Sequence, residues 1–235
     1  MQETKPYNIS KWKVKEAYEK VKANKGTYGV DDQSIEDFEE NLNNNLYKIW
    51  NRMSSGSYFP KPVKAVAIPK KNGGTRILGI PTVEDRIAQM VAKMYFEPCV
   101  EPIFYDDSYG YRPNKSAIQA LEVTRERCWR KDWVFEFDIK GLFDNIRHDY
   151  LIEMVKRHTD EAWIIMYIKR WLVAPFQMED GTMVTRTSGT PQGGVISPVL
   201  SNLFLHYVFD DFMTKEFPTI PWVRYADDGI AHCVS

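Results

Sequence analysis

Cysteine is scarce in this chain: Cys99, Cys128 and Cys233 are the only three in 235 residues. The odd count excludes a fully paired disulfide framework, and the spacing is not that of a cysteine-bound metal, so reduced residues in a cytoplasmic protein are expected. Long apolar runs are lacking too. None approaches a membrane span and no signal peptide precedes the first helical pattern, so no membrane partner is expected. Internal repeats and low-complexity tracts are missing, which excludes a solenoid or a disordered linker protein. There is no excess of either charge sign. Lys and Arg number 31 against 32 Asp and Glu, for a net charge of −1.

What is present is a composition for a packed core, 43% hydrophobic and 14% aromatic, in a chain long enough for one large or two small domains. The near-zero net charge hides an uneven distribution. Residues 1–30 hold seven lysines against three glutamates, and residues 60–77 hold Lys61, Lys64, Lys70, Lys71 and Arg76 with no acid. Residues 112–131 hold six basic residues against two glutamates, while Asp31–Glu40 concentrates acid. Basic patches therefore survive for a polyanionic partner, although part of each is ordinary solvated surface.

Three aspartates carry the chemistry. Asp138 closes the run Trp133-Val134-Phe135-Glu136-Phe137, and Asp227 and Asp228 follow Trp222-Val223-Arg224-Tyr225-Ala226. An acid beside a strand that the core buries is costly, and no basic residue adjoins any of the three in sequence. A counter-charge from outside the protein is implied. Magnesium suits, since it takes oxygen ligands from a few carboxylates and the phosphates of a substrate. Two such ions can activate a 3′-hydroxyl and stabilise departing pyrophosphate. In the first strand, alternation sends Trp133, Phe135, Phe137 and Ile139 to one face and Val134, Glu136 and Asp138 to the other. Asp138 is then expected to face a cleft while its neighbours pack inward. Asp227-Asp228-Gly229, between two strand-like runs, is expected to form a hairpin turn.

These residues resemble a known family. Tyr225-Ala226-Asp227-Asp228 resembles the signature of reverse transcriptases, and Phe137-Asp138-Ile139-Lys140-Gly141-Leu142-Phe143-Asp144-Asn145-Ile146 their first catalytic motif. Gly189-Thr190-Pro191-Gln192-Gly193-Gly194-Val195-Ile196-Ser197-Pro198 is similar to the motif between them. The form of all three resembles the enzymes encoded by bacterial group II introns, which also act as splicing maturases. Upstream, Lys25–Asp31, Ile68–Pro81 and Ser108–Pro113 resemble further blocks of that family in order.

The resemblance implies an RNA-directed DNA polymerase that uses two Mg2+ ions and dNTPs. Its expected partners are an RNA template, a DNA primer and intron RNA. It implies an α+β right-hand fold: helical fingers with a basic β-hairpin and an antiparallel palm sheet backed by helices, with the family's helical thumb expected to be absent from this chain. Residues 1–132 are expected as fingers with an N-terminal RNA-binding extension and 133–235 as palm, with some of 160–190 packing as fingers. Asp138, Asp227 and Asp228 are the expected catalytic residues, and Asp138, Ile139, Asp227 and Asp228 the metal positions.

Lys70, Arg76, Phe143, Gln192 and Gly193 are the expected nucleotide-binding positions. Phe143, five residues after Asp138, would sit under the incoming sugar and clash with a 2′-hydroxyl; a core phenylalanine is the alternative. Arg76 could hold phosphate by a bidentate fork and Lys70 as a point charge. Lys13, Lys20, Lys22, Lys64, Lys71 and Arg112 are the candidate RNA-binding residues, with a rigid turn the other reading of Arg112. His148 is read as structural, and Trp163 and Trp171 as core. Retron, diversity-generating or defence-associated enzymes, or a scaffold that only binds RNA, are the alternative functions. Without a thumb the chain alone is expected to extend primers poorly, and an exposed strand edge would favour a homodimer.

Local patterns place the elements. Ser10 is expected to cap a helix buried through Val14, Ala17, Tyr18 and Val21. Ser34 with Asp37 should cap a second running through Phe38, Leu42, Leu46, Ile49 and Met53 to Gly56. Val63–Ile80 reads as a strand hairpin turning at Asn72-Gly73-Gly74. Thr82 and Asp85 cap a third helix that Pro98 limits. Helices follow over roughly Lys115–Cys128, to His158 and over Trp163–Val173, with a small hairpin over Met178–Arg186. Ser197 is expected to cap a helix with Pro198 first, buried through Leu200, Leu203, Phe204, Tyr207 and Val208.

Overall fold

The computed structural model describes residues 5–69 and 73–234. Its first helix, α1 (Lys11–Ala23), buries the expected Val14, Ala17, Tyr18 and Val21. Ser10 occupies the cap position without a side-chain cap bond. The second expected helix is instead two, α2 (Ile35–Glu39) and α3 (Leu42–Ser55). Ser34 and Asp37 do form the reciprocal cap of α2. The chain then breaks at Asn41, and the Asn45 side chain donates 2.9 Å to the Phe38 carbonyl. That carbonyl would otherwise accept the next helical bond, so asparagine side chains compete here with the backbone. Gly56 ends α3 in the left-handed conformation.

Strands β1 (Val63–Pro69) and β2 (Thr75–Ile80) pair antiparallel, with Pro69 opposite Thr75. Lys70, Lys71 and Asn72 lie outside the described residues. Thr82 caps α4 (Val83–Val100), the central helix of the core. Pro98 does not limit it: the helix runs on to Val100 and a 3-10 turn at Glu101–Ile103. Proline removes one late hydrogen bond, while Phe96 and Val100 are fully buried and hold the last turn in place.

The remaining elements are α5 (Ala117–Cys128), β3 (Trp133–Asp138), α6 (Leu142–Asn145), α7 (His148–Lys156), α8 (Ala162–Val173), β4 (Phe176–Gln177), β5 (Met183–Val184), α9 (Ser197–Leu205), α10 (Asp211–Glu216), β6 (Trp222–Tyr225) and β7 (Asp228–Cys233). One sheet has the order β2-β1-β4-β5, with β4 parallel to β1, Val63 opposite Phe176. The other is antiparallel, in the order β3-β7-β6. The α+β expectation holds, with helices packed around a core that includes Trp163 and Trp171. Among the described residues no helix is long and apolar enough to cross a membrane.

Two packing expectations fail. Trp133 and Phe135 do not pack inward but stay 66% and 64% exposed. Alternation holds, yet β3 is an edge strand, so the face that its rings share is only partly covered. Phe137, at the inner end, does pack, 4.9 Å from the Phe209 ring. Ser197 is not a cap either: Ile196 holds that position, and the Ser197 hydroxyl accepts from Thr190 at 2.7 Å. Beyond α9 the helix widens to π geometry over His206–Asp210. The extra residue per turn rotates the stripe, and Val208 ends half exposed.

Candidate active site

Backbone pairing assembles the carboxylates. The antiparallel register of β3 and β7 sets Asp138 directly opposite Asp228. β6 and β7 close with Tyr225 opposite Asp228, so the two turn residues are Ala226 and Asp227. The expected turn is thus displaced towards the N-terminus, and Asp228 begins a strand. Ala226 adopts φ +57°, a left-handed value that costs a non-glycine residue energy and persists only when its surroundings impose it. The Ile139 amide donates 3.0 Å to the Asp227 carbonyl and ties this turn to the end of β3. Gly229 faces Phe137, whose ring would lie 2.1 Å from any added Cβ.

The turn is imposed from beneath by Arg224, fully buried with Asp210. Its guanidinium donates to both Asp210 oxygens, at 2.7 and 2.6 Å, and to Asn202 at 3.2 Å. It also reaches the Ser108 hydroxyl at 2.8 Å and the Ala226 carbonyl at 3.0 Å. One buried cation therefore fixes the strained residue next to Asp227.

Above the turn lies a cleft of about 710 Å³. It gathers Asp138 and Asp227 with Arg76 from β2, Phe143 from α6, and Gln192 and Gly193 from the loop before α9. Phe143 is half buried on the cleft wall, its ring edge-on to Tyr111 at 6.4 Å. Gly193 has φ +108°, and an added Cβ would come within 2.4 Å of the Gly79 carbonyl. Only glycine fits there. Asp228 is not in the cleft wall; it borders a smaller apolar groove against α5.

Electrostatics single out the same point. Among the described residues none of the three aspartates has an ion-pair partner, in contrast to Asp210. Partial burial raises the Asp228 pKa, and the charges of Asp227 and then Asp138 raise it further. Burial, and next the Asp227 charge, raise the Tyr111 pKa. Among the described residues no group of three or more acidic, histidine or cysteine side chains is closed enough to hold a metal on its own. An open pair of acids with mutual repulsion still fits magnesium, which commonly takes one or two carboxylates and completes its shell with water and substrate phosphate.

The RNA-binding candidates are scattered. Lys13 and Lys20 pair with Glu16, Lys22 with Glu39, and Lys64 with Asp32. Arg112 is nearly buried in its turn, donating to the Tyr105 and Ser108 carbonyls at 2.6 and 2.7 Å and pairing with Glu101. Lys70 and Lys71 lie outside the described residues. His148 contacts the Gly189 carbonyl at 2.7 Å, the structural role read for it.

Lys140 and Tyr111 line the cleft although neither was expected there. Proximity in sequence could have flagged Lys140, since it lies two residues beyond Asp138, in the turn that follows β3. No local pattern points to Tyr111.

Comparison with known proteins identifies what the chain as a whole is similar to. The profile of the family described as Reverse transcriptase (RNA-dependent DNA polymerase) matches residues 68–235. The group II intron-encoded protein LtrA of Lactococcus lactis subsp. cremoris is 37% identical over 193 residues, covering 81% of this chain and 32% of LtrA. Protein YkfC of Escherichia coli K12 is 35% identical over 196 residues, covering 81% of this chain and 51% of YkfC. Among solved structures, a chain of a partial Cas6-RT-Cas1–Cas2 complex is 25% identical with a TM-score of 0.57, covering 97% of this chain and 37% of that one. The chain thus spans about a third of the length of LtrA.

Proposed function

Because the chain belongs to the reverse transcriptase (RNA-dependent DNA polymerase) family, we propose that its cleft is the nucleotidyl-transfer site of an RNA-directed DNA polymerase encoded by a group II intron. The carrying observation is the convergence of Asp138, Asp227, Arg76, Phe143 and Gln192 from distant segments on one cleft. In this reading β1, β2 and the N-terminal helices are fingers, and β3, β6 and β7 are palm. The substrates are a dNTP and a DNA primer on an RNA template. The likeness to LtrA supports intron RNA as a further partner, and the exposed edge of β3 supports self-association.

Asp138 and Asp227 would hold two magnesium ions, with Asp228 supporting the pair and the backbone around Ile139 closing the site. When bound, the metals supply charge neutralisation and an activated primer hydroxyl. Arg76 and Lys140, both lining the cleft and neither ion-paired among the described residues, hold the triphosphate. Gln192 contacts the nucleotide or template, and Gly193 lets backbone approach it closely. Primer extension on an RNA template, by the polypeptide that carries this chain, tests the reading. Absence of metal-dependent dNTP incorporation would sink it.

Phe143 would exclude ribonucleotides by bulk, with Tyr111 as its buttress. Phe143→Val is expected to raise kcat/KM for ribonucleotides relative to deoxyribonucleotides by about tenfold or more, the scale of a reshaped apolar contact. An unchanged ratio leaves Phe143 a packing residue.

The ion pairs of Lys13, Lys20 and Lys22 are solvent-exposed and therefore weak, so phosphate can displace the glutamates. Neutralising all three lysines is expected to flatten the plot of log affinity for intron RNA against log salt, by roughly 0.7–0.9 for each phosphate that is no longer neutralised. A slope and affinity equal to wild type would remove this face from the RNA interface.

A further inference from the structure

Behind the cleft, α4 carries a buried carboxylate that has no ion-pair partner among the described residues. Asp85 is 1% exposed. The Tyr58 hydroxyl and the Trp171 indole both donate to its Oδ1, at 2.7 and 2.8 Å. Its Oδ2 accepts from the Gln89 amide nitrogen at 3.0 Å. Burial pushes its pKa up to about 6, yet Tyr58, Trp171 and Gln89 all donate to it, so both of its oxygens act as acceptors. One helical turn on, Gln89 is 2% exposed. Its Oε1 accepts from the Val195 amide at 2.8 Å and the Ile196 amide at 3.4 Å. Those amides close the loop that carries Gln192 and open α9. Within that loop Gln192 is itself pinned by Gly79, whose amide donates 2.7 Å to the Gln192 carbonyl. Neither Asp85 nor Gln89 borders the cleft.

We propose that Asp85 and Gln89 form a polarity relay that holds the Gln192 loop in its nucleotide-accepting shape; the nucleotide part rests on the cleft being the nucleotidyl-transfer site. Both are positioning residues. A glutamine amide has a donor end and an acceptor end. Because Asp85 only accepts, the NH2 end of Gln89 must turn towards it, and the oxygen then faces the loop. The substitution Asp85→Asn inverts this. Tyr58 and Trp171 both donate, so they keep the oxygen of the new amide at the Oδ1 place, and its NH2 takes the place of Oδ2. Gln89 must then turn over and point donors at the Val195 and Ile196 amides, which lose their acceptor. Adding Gln89→Glu repairs the pattern: one oxygen of the new carboxylate accepts from the substituted amide and the other from the loop. Polarity therefore expects the double variant to recover what the single one loses. Packing alone expects two changes in the core to be worse than one.

Amide hydrogen exchange at Val195 and Ile196 reads the relay directly on this chain at neutral pH, without any need for activity. In Asp85→Asn both amides should exchange about tenfold faster, the size of one lost hydrogen bond of ordinary strength. In Asp85→Asn/Gln89→Glu the protection should return. Unchanged exchange in the single variant, or a double variant no better than the single, overturns the relay. In primer extension the dNTP KM should rise about tenfold in Asp85→Asn with kcat little changed, on the scale of the same lost bond, and fall back in the double variant. Exchange that follows the pattern while KM does not move overturns the nucleotide role. If no variant, wild type included, adds nucleotides, the exchange result still decides the relay and the nucleotidyl-transfer reading of the cleft is what falls. Should Asp85→Asn fail to fold, Gln89→Leu removes the acceptor of the two loop amides together with the donor to Asp85. It should show the same fast exchange, and protection in it would equally overturn the relay.

Discussion

Asp138→Asn and Asp227→Asn should each bring nucleotide addition to background while the protein stays folded. Each change keeps the side-chain shape and removes a charge that no protein cation balances among the described residues. Metal-supported stabilisation of a phosphoryl transition state is worth several kcal/mol. At ~1.4 kcal/mol per tenfold, the loss is roughly a thousandfold or more. Asp228→Asn should differ. The ionised form of Asp228 is disfavoured in the fold by partial burial and by Asp227 and Asp138. A raised carboxyl pKa means a penalty present above the folded pKa and absent below the unfolded value near 3.8. The melting temperature of Asp228→Asn should therefore exceed that of wild type at neutral pH and converge with it near pH 4. Near-wild-type primer extension by Asp138→Asn or Asp227→Asn would overturn the metal assignment.

Arg224→Met should be the most damaging change to stability. It strands Asp210 as an unpaired buried charge, and breaking such a pair typically costs about 3–5 kcal/mol. Adding Asp210→Leu should recover most of that, because an ion pair replaced whole by apolar groups is often neutral. Urea unfolding at neutral pH measures both. A cost under about 1 kcal/mol for the single variant would place the pair among exposed ones. Activity should not recover with stability: the Ala226 carbonyl has lost its donor, and the turn holding Asp227 is free to relax from its left-handed conformation. A stable double variant with full activity would show that β6 and β7 hold the turn unaided.

Much of this was legible in the sequence because it is local. The stripe of α1, the caps at Ser34 and Thr82 and the strands around the aspartates each depend on residues within a turn or a strand of one another. The convergence of Asp138, Arg76, Phe143 and Gln192 was legible only through motif order, since no local pattern reports distance across a cleft. What stayed hidden needed long-range pairing. Arg224 finds Asp210 only after a π-helical stretch has turned that carboxylate inward. Asp85 reads locally as a helix-capping residue, because its indole and phenol donors come from α8 and the loop after α3. The exposure of Trp133 and Phe135 follows from the place of β3 at a sheet edge, which alternation cannot report. The split of the second helix turned on one asparagine amide reaching back to Phe38.

The parallel contact of β1 with β4 has a consequence for how the protein is made. Val63 must wait for Phe176 to leave the ribosome before its sheet is complete. A nascent chain that has formed β1 and β2 carries an unpaired strand edge through the synthesis of α4 to α8, and non-local closure of this kind is slow. During that interval the edge is open to another chain. Ribosome-bound chains released before residue 176 should therefore aggregate or recruit chaperones more readily than chains released after β5 has emerged. The hairpin of β4 and β5, short as it is, would act as the lock of the fold.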